Sequence, residues 1–96
     1  MKVVWKYVIN SLNEALEMPK GARILSFQMQ NAFACNMWAL VDAQAPKEER
    51  RFVGIGTGEE IGEGGRIGIN PERLEFIATV QAGEGGRIVH HFFEVK

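Results

Sequence analysis

Between Ala22 and Asp42 the chain alternates twice with a period of two residues, and that pattern admits few folds. In the first run Leu25, Phe27 and Met29 fall on one side and Ser26, Gln28 and Gln30 on the other, as in a half-buried strand whose successive side chains point to opposite faces. In the second run Cys35, Met37, Ala39 and Val41 share one face, and Asn36, Trp38, Leu40 and Asp42 share the other. That second arm is apolar enough on both sides to be interior. The two arms predict a β-hairpin, with Asn31-Ala32-Phe33 as its connection.

The same period recurs along the chain. Val3, Trp5, Tyr7 and Ile9 make one wholly apolar face of a first strand. Ser11-x-x-Glu14 has the form of a helix capping box, but Pro19 and Gly21 leave room for barely two turns. A turn over 10–13 and a short strand over Ala15–Met18 are therefore expected. Pro19-Lys20-Gly21 reads as a turn with proline in its second position and glycine at positive φ. The segment 43–49, with Pro46, reads as a surface loop.

A strand resumes where Arg51, Val53, Ile55 and Thr57 alternate with Arg50, Phe52, Gly54 and Gly56, and its glycines leave room for a close neighbour. Residues 58–65 are loop-like, Ile67 and Ile69 suit a short edge strand, and Asn70-Pro71 marks a turn. Leu74, Phe76, Ala78 and Val80 then alternate with Glu75, Ile77, Thr79 and Gln81. After the turn at 83–86, Val89, His91, Phe93 and Val95 oppose Ile88, His90, Phe92 and Glu94. Six to seven short strands without a helical period predict an all-β fold, a small antiparallel β-sandwich or partly open barrel. Strands one, three, four, six and seven should supply the core. The 96 residues suffice for one domain, residues 1–96, and not for two cores.

Charge and cysteine content narrow the partners. The formal net charge of −1 comes with scattered basic residues, so nucleic acid is not an expected partner. No apolar run approaches a membrane span, and Lys6 interrupts the N-terminal apolar stretch, so neither membrane nor secretion is expected. The lone Cys35 cannot close an internal disulfide and suits a buried thiol in a reducing, cytoplasmic setting.

The sharpest motif is a repeat. Gly-Glu-Gly-Gly-Arg-Ile occurs at Gly62–Ile67 and again at Gly83–Ile88. Glycine amides beside Arg66 and Arg87 resemble an anion nest. Against that, neither copy has P-loop spacing or opens a helix, and Glu63 and Glu84 repel an anion; glycine turns account for both loops. Gly54-x-Gly56-x-Gly58 lacks the helix a dinucleotide fingerprint requires. His90 and His91 point to opposite faces of a strand and cannot share an ion, so no metal is expected. His91 suits a satisfied core histidine and His90 an exposed one. No nucleophile stands in an elbow or beside a base in sequence, and no catalytic residue or cofactor is expected.

Several pieces together carry a family resemblance: Trp5-Lys6-Tyr7, Glu17-Met18-Pro19-Lys20-Gly21-Ala22, Trp38-Ala39-Leu40-Val41-Asp42, Ala45-Pro46-Lys47-Glu48, Gly56-Thr57-Gly58, Leu74-Glu75-Phe76-Ile77 and His91-Phe92-Phe93-Glu94. In these the chain resembles a family of short, mostly uncharacterised proteins encoded in bacteriophage and prophage genomes. It departs from that pattern at Glu59, where the family often has histidine after Gly-Thr-Gly. The resemblance implies a phage-borne accessory protein and transfers no catalytic residue.

The expected function is a non-enzymatic binding protein acting on a host bacterial protein in the cytoplasm, with inhibition of a defence system such as CRISPR as the specific form. The alternatives are a small-ligand binder for a nucleotide signal, through Arg66 and Arg87, and a virion or oligomeric structural protein; a homodimer stays open. The expected contact residues are Lys47, Arg50, Arg51, Glu63, Arg66, Glu84, Arg87 and His90, on loops or a free sheet edge.

Overall fold

The computed structural model describes residues 1–31 and 34–96. Seven strands follow in the order β1 (Lys2–Ile9), β2 (Asn13–Pro19), β3 (Arg23–Asn31), β4 (Ala34–Asp42), β5 (Lys47–Gly56), β6 (Leu74–Ala82) and β7 (Ile88–Val95). They form two antiparallel sheets, three strands in the order β1-β4-β3 and four in the order β2-β5-β7-β6. The sheets face each other without closing, so the fold is a small β-sandwich.

Core side chains come from the alternation described above. Trp5 and Tyr7 face inward from β1, Phe27 from β3, Met37 and Val41 from β4, and Phe92 from β7. Phe27 and Phe92 join the sheets across the middle, their ring centroids 4.5 Å apart. β2 and β5 also contribute, contrary to expectation: Met18 and Phe52 are fully buried. Gly54 faces inward where a Cβ would lie 2.8 Å from Leu12 and 2.9 Å from the Phe92 ring. Glycine here serves close approach, as its sequence position suggested.

The register is irregular at three places, between Ile24 and Ser26, between Met29 and Asn31, and between Phe76 and Ala78, and the first and last of these, both β-bulges, overturn the expected alternation. In β3, Ile24 pairs with Ala39 and Ser26 with Trp38, so Leu25 is the extra residue. Ile24 packs on the core in its place, and Leu25 is 44% exposed. In β6, Phe76 pairs with Phe93 and Ala78 with Phe92, so Ile77 is extra. Leu74 and Phe76 thereby turn to the outer face, while Ala78 and Val80 stay inside. One inserted residue exchanges the two faces of everything beyond it.

Other boundaries also differ. β5 begins at Lys47, so the expected loop over 43–49 shortens and Lys47, Glu48 and Glu49 join Arg50 and Arg51 in the strand. Pro19 is the first residue of its turn, whose closing bond runs from the Ala22 N–H to the Pro19 carbonyl with Gly21 at φ 80°. Ile67 makes only an isolated bridge to Ile61, and no edge strand forms at 67–69. Asn31 accepts a hydrogen bond from the Ala34 N–H; the rest of the expected Asn31-Ala32-Phe33 connection lies outside the described residues.

Segment 57–73 lies over the outer face of the four-stranded sheet. There Ile61, Ile67 and Ile69 cover Val53, Ile55 and Phe93 in a second apolar cluster. β5 is consequently buried on both faces from Phe52 to Ile55.

Candidate functional site

β3 and β6 are each the last strand of their sheet, and they flank one open side of the sandwich. A cleft of about 570 Å³ runs there, its walls including Leu25, Ser26, Phe76 and Ile77. The two bulges lie across it from one another. Leu25 is 44% exposed and Phe76 56%, although both belong to strands. Bulges re-aim side chains that regular pairing would bury, and here they set two large apolar groups at the mouth of the cleft.

The floor is ionic. Arg50, reaching inward from β5, donates from Nε to Glu94 Oε2 at 2.6 Å and from Nη2 to Oε1 at 2.7 Å. Its remaining terminal nitrogen donates to the Ala22 carbonyl. The pair is nearly dry, with side-chain exposures of 12% for Arg50 and 7% for Glu94. Burial pushes the Glu94 carboxyl up, but the Arg50 hydrogen bonds and charge, helped by Lys96, outweigh it and hold Glu94 below the usual carboxylate range. The Glu94 hydrogen bond in turn raises Arg50. This bidentate pair fastens β5 to β7 and to the turn before β3. A second recess of about 410 Å³, bordered by Glu48 and Glu49, opens beside the same pair. Deeper in, burial raises the Tyr7 hydroxyl, with Arg50 acting in the opposite sense; it has no hydrogen-bond partner among the described residues.

The eight residues singled out from sequence do not converge. Arg50 is the cleft floor, and Arg51, on the opposite face, donates to Asn13 Oδ1 at 2.7 Å. Lys47 sits 4.9 Å from the centre of the Trp5 ring. His90 lines an apolar recess of about 230 Å³ toward the other end of β7, together with Cys35. Glu63 is exposed on the segment covering the outer sheet face, and Glu84 and Arg87 are exposed between β6 and β7.

Arg66 is closed from within the chain. It donates from Nε to Glu59 Oε2 at 2.7 Å and from Nη2 to the Gly54 carbonyl at 2.7 Å. Glu59 also accepts from the Gly56 N–H at 2.9 Å, and the Arg66 hydrogen bond, followed by that of Gly56, lowers its pKa. The anion for the first glycine-rich loop thus comes from within the chain. His91 is satisfied, as expected, but on the outer face rather than in the core: Thr57 Oγ1 lies 2.7 Å from Nε2 and Thr79 Oγ1 2.9 Å from Nδ1.

Sequence reasoning missed Glu94, Leu25 and Phe76. Glu94 carried one available signal, a carboxylate in line with Ile88 and Phe92 near the end of a largely apolar strand; the other two depend on bulges that strict alternation conceals. No group of three or more His, Cys, Asp or Glu able to hold a metal occurs among the described residues. No described helix is long and apolar enough to cross a membrane. The cleft offers an apolar rim, a rigid charged floor and flanking Arg23, Glu75 and Lys96, the parts of a contact surface. No curated protein and no solved structure matches the chain. The profile of a domain of unknown function matches residues 1–96, and the chain belongs to that family, DUF7352.

Proposed function

We propose that this protein is a non-enzymatic binding module of phage or prophage origin that engages a host bacterial protein through the β3–β6 cleft. The exposed pair Leu25 and Phe76 carries the reading. Large apolar side chains held out by a rigid scaffold, with polar groups around them, are the usual centre of a protein contact. The origin and the cytoplasmic host setting rest on the resemblance in the Met-Pro-Lys-Gly-Ala and Trp-Ala-Leu-Val-Asp pieces. A small rigid binder suits the blocking of a defence complex such as CRISPR. The nucleotide-signal reading is weaker, because Glu59 already occupies Arg66.

The test replaces the two rim residues. Leu25→Asp changes a solvent-facing side chain, where substitutions ordinarily cost no more than about 0.5 kcal/mol; Phe76→Asp also removes the edge-on contact of the Phe76 ring with Phe93, centroids 5.6 Å apart, and should cost more. The native protein should retain a stoichiometric host protein from bacterial lysate at low salt. Both variants should lose it with unchanged circular dichroism, and Arg87→Ala should keep it. Equal capture by all of these proteins, or none by the native one, would remove the basis of the reading.

A further inference from the structure

The sandwich has four sheet edges, and they are not equivalent. β3 and β6 are interrupted by the bulges at Leu25 and Ile77. β2 ends on Pro19, which has no N–H to offer. β1 has neither bulge nor proline, and its register with β4 is unbroken from Lys2 to Ile9. An unpaired edge is a template for another strand unless it is blunted.

The unused bonding groups of β1 can be identified. The Ala43 N–H bonds the Met1 carbonyl, and in an antiparallel pair alternate residues turn both backbone groups to the same side. Met1, Val3, Trp5 and Tyr7 are thus spent on β4, while Lys2, Val4, Lys6 and Val8 face outward along the free edge. On the outer sheet face Val4 is 54% exposed and Val8 48%. On the inner face Val3, Trp5 and Tyr7 are only half-buried, as expected where the next strand is missing.

From this we infer that the chain forms a two-fold dimer by antiparallel pairing of β1 with β1 of a second copy, in a register centred on Trp5. Charge and paired length select the occupant and the register. Facing residues must lie on the same sheet face, so the two-fold axis passes through a residue. An axis at Lys6 sets Lys6 opposite Lys6. An axis at Val4 sets Lys2 opposite Lys6. An axis at Trp5 sets Lys2 opposite Val8 and Val4 opposite Lys6, and places the lysine aliphatic stems against valine. It also sets Trp5 against Trp5 and Val3 against Tyr7 on the inner face, where aromatic cross-strand pairs are favourable. An axis at Tyr7 also keeps lysine from lysine, but it pairs only residues 5–9 of the strand, whereas the Trp5 axis pairs residues 2–8; charge and length together favour the Trp5-centred register. The product is a continuous sheet, β3-β4-β1 joined to its symmetry mate.

Sedimentation velocity and native mass spectrometry across a concentration series test it. The native chain should dimerise reversibly. Val4→Lys sets a lysine opposite Lys6 of the second copy at two symmetry-related positions and should raise the dissociation constant about tenfold or more. The double variant Val4→Lys/Lys6→Glu should restore dimerisation, since only the Trp5-centred register then pairs opposite charges without setting like charges face to face; an axis at Val4 would set Lys2 against the new glutamate but the two introduced lysines against each other, and one at Lys6 would face glutamate with glutamate. Val8→Lys and its rescue by Lys2→Glu repeat the test at the other pair, should Val4→Lys fail to fold. A native chain that stays monomeric, single variants that dimerise like it, or double variants no better than the single ones would each overturn the proposal.

Discussion

At the scale of single residues, Glu94 stands out as a charge in a strand that otherwise reads as core. Its worth comes from Arg50 and is conditional on both partners. Removing one member of a buried pair leaves the other charge uncompensated, so Glu94→Gln should cost about 3–5 kcal/mol at neutral pH. The pH dependence follows from the lowered pKa. The unfolded carboxyl takes up a proton at higher pH than the folded one, so the pair's contribution is complete above the ordinary carboxylate range and is lost as pH falls through Glu94's own lower pKa. Urea denaturation across an acid pH series should show the native protein and Glu94→Gln converging as pH drops. Parallel curves would mean the pair contributes no carboxylate-linked stability. Arg50 was visible in sequence as a charge beside Phe52. Its partner lies 44 residues away, beyond what a local pattern records.

Among elements, the two bulges and segment 57–73 decide which faces are covered. Period-two alternation identified the strands β1 and β4 with their faces correctly assigned; in β7 it found the alternation but set His91 in the core and His90 outside, whereas His90 and Phe92 face inward and His91 and Phe93 outward. It failed in β3 and β6 because one inserted residue leaves composition and propensity unchanged while exchanging the faces beyond it. It also read Ile67 and Ile69 as a short edge strand and gave no sign that this glycine-rich segment packs over the sheet face. Yet Ile67 is buried with Val53 and Ile55. Ile67→Ala should therefore cost about 2–5 kcal/mol, the range of a buried isoleucine truncation. The measurement is the denaturant midpoint at constant m-value; a loss below about 0.5 kcal/mol, as for surface substitutions, would show that the segment only rests on the sheet.

For the whole molecule, Cys35 reports on opening of the sandwich. Its thiol is buried, and burial pushes its pKa up to about 11, so both access and thiolate are scarce in the native state. Labelling by an aromatic disulfide at about pH 8, near the pKa of a free thiol, should be slow. It should accelerate in Glu94→Gln in proportion to the stability lost, because the same global opening exposes the thiol. Fast labelling that is independent of stability would instead place a local opening at the Cys35 recess. Alternation, the punctuation by glycine, proline and asparagine, and the single cysteine determined by themselves an all-β chain of short antiparallel strands with a buried thiol, because each is a property of neighbouring residues. The tertiary structure alone decided that β2 and β5 help build the core, that Arg50 meets Glu94 while Arg66 meets Glu59, and that Leu25 and Phe76 face solvent. Those outcomes depend on register and on contacts between segments far apart in the chain, where one extra residue changes what a side chain meets.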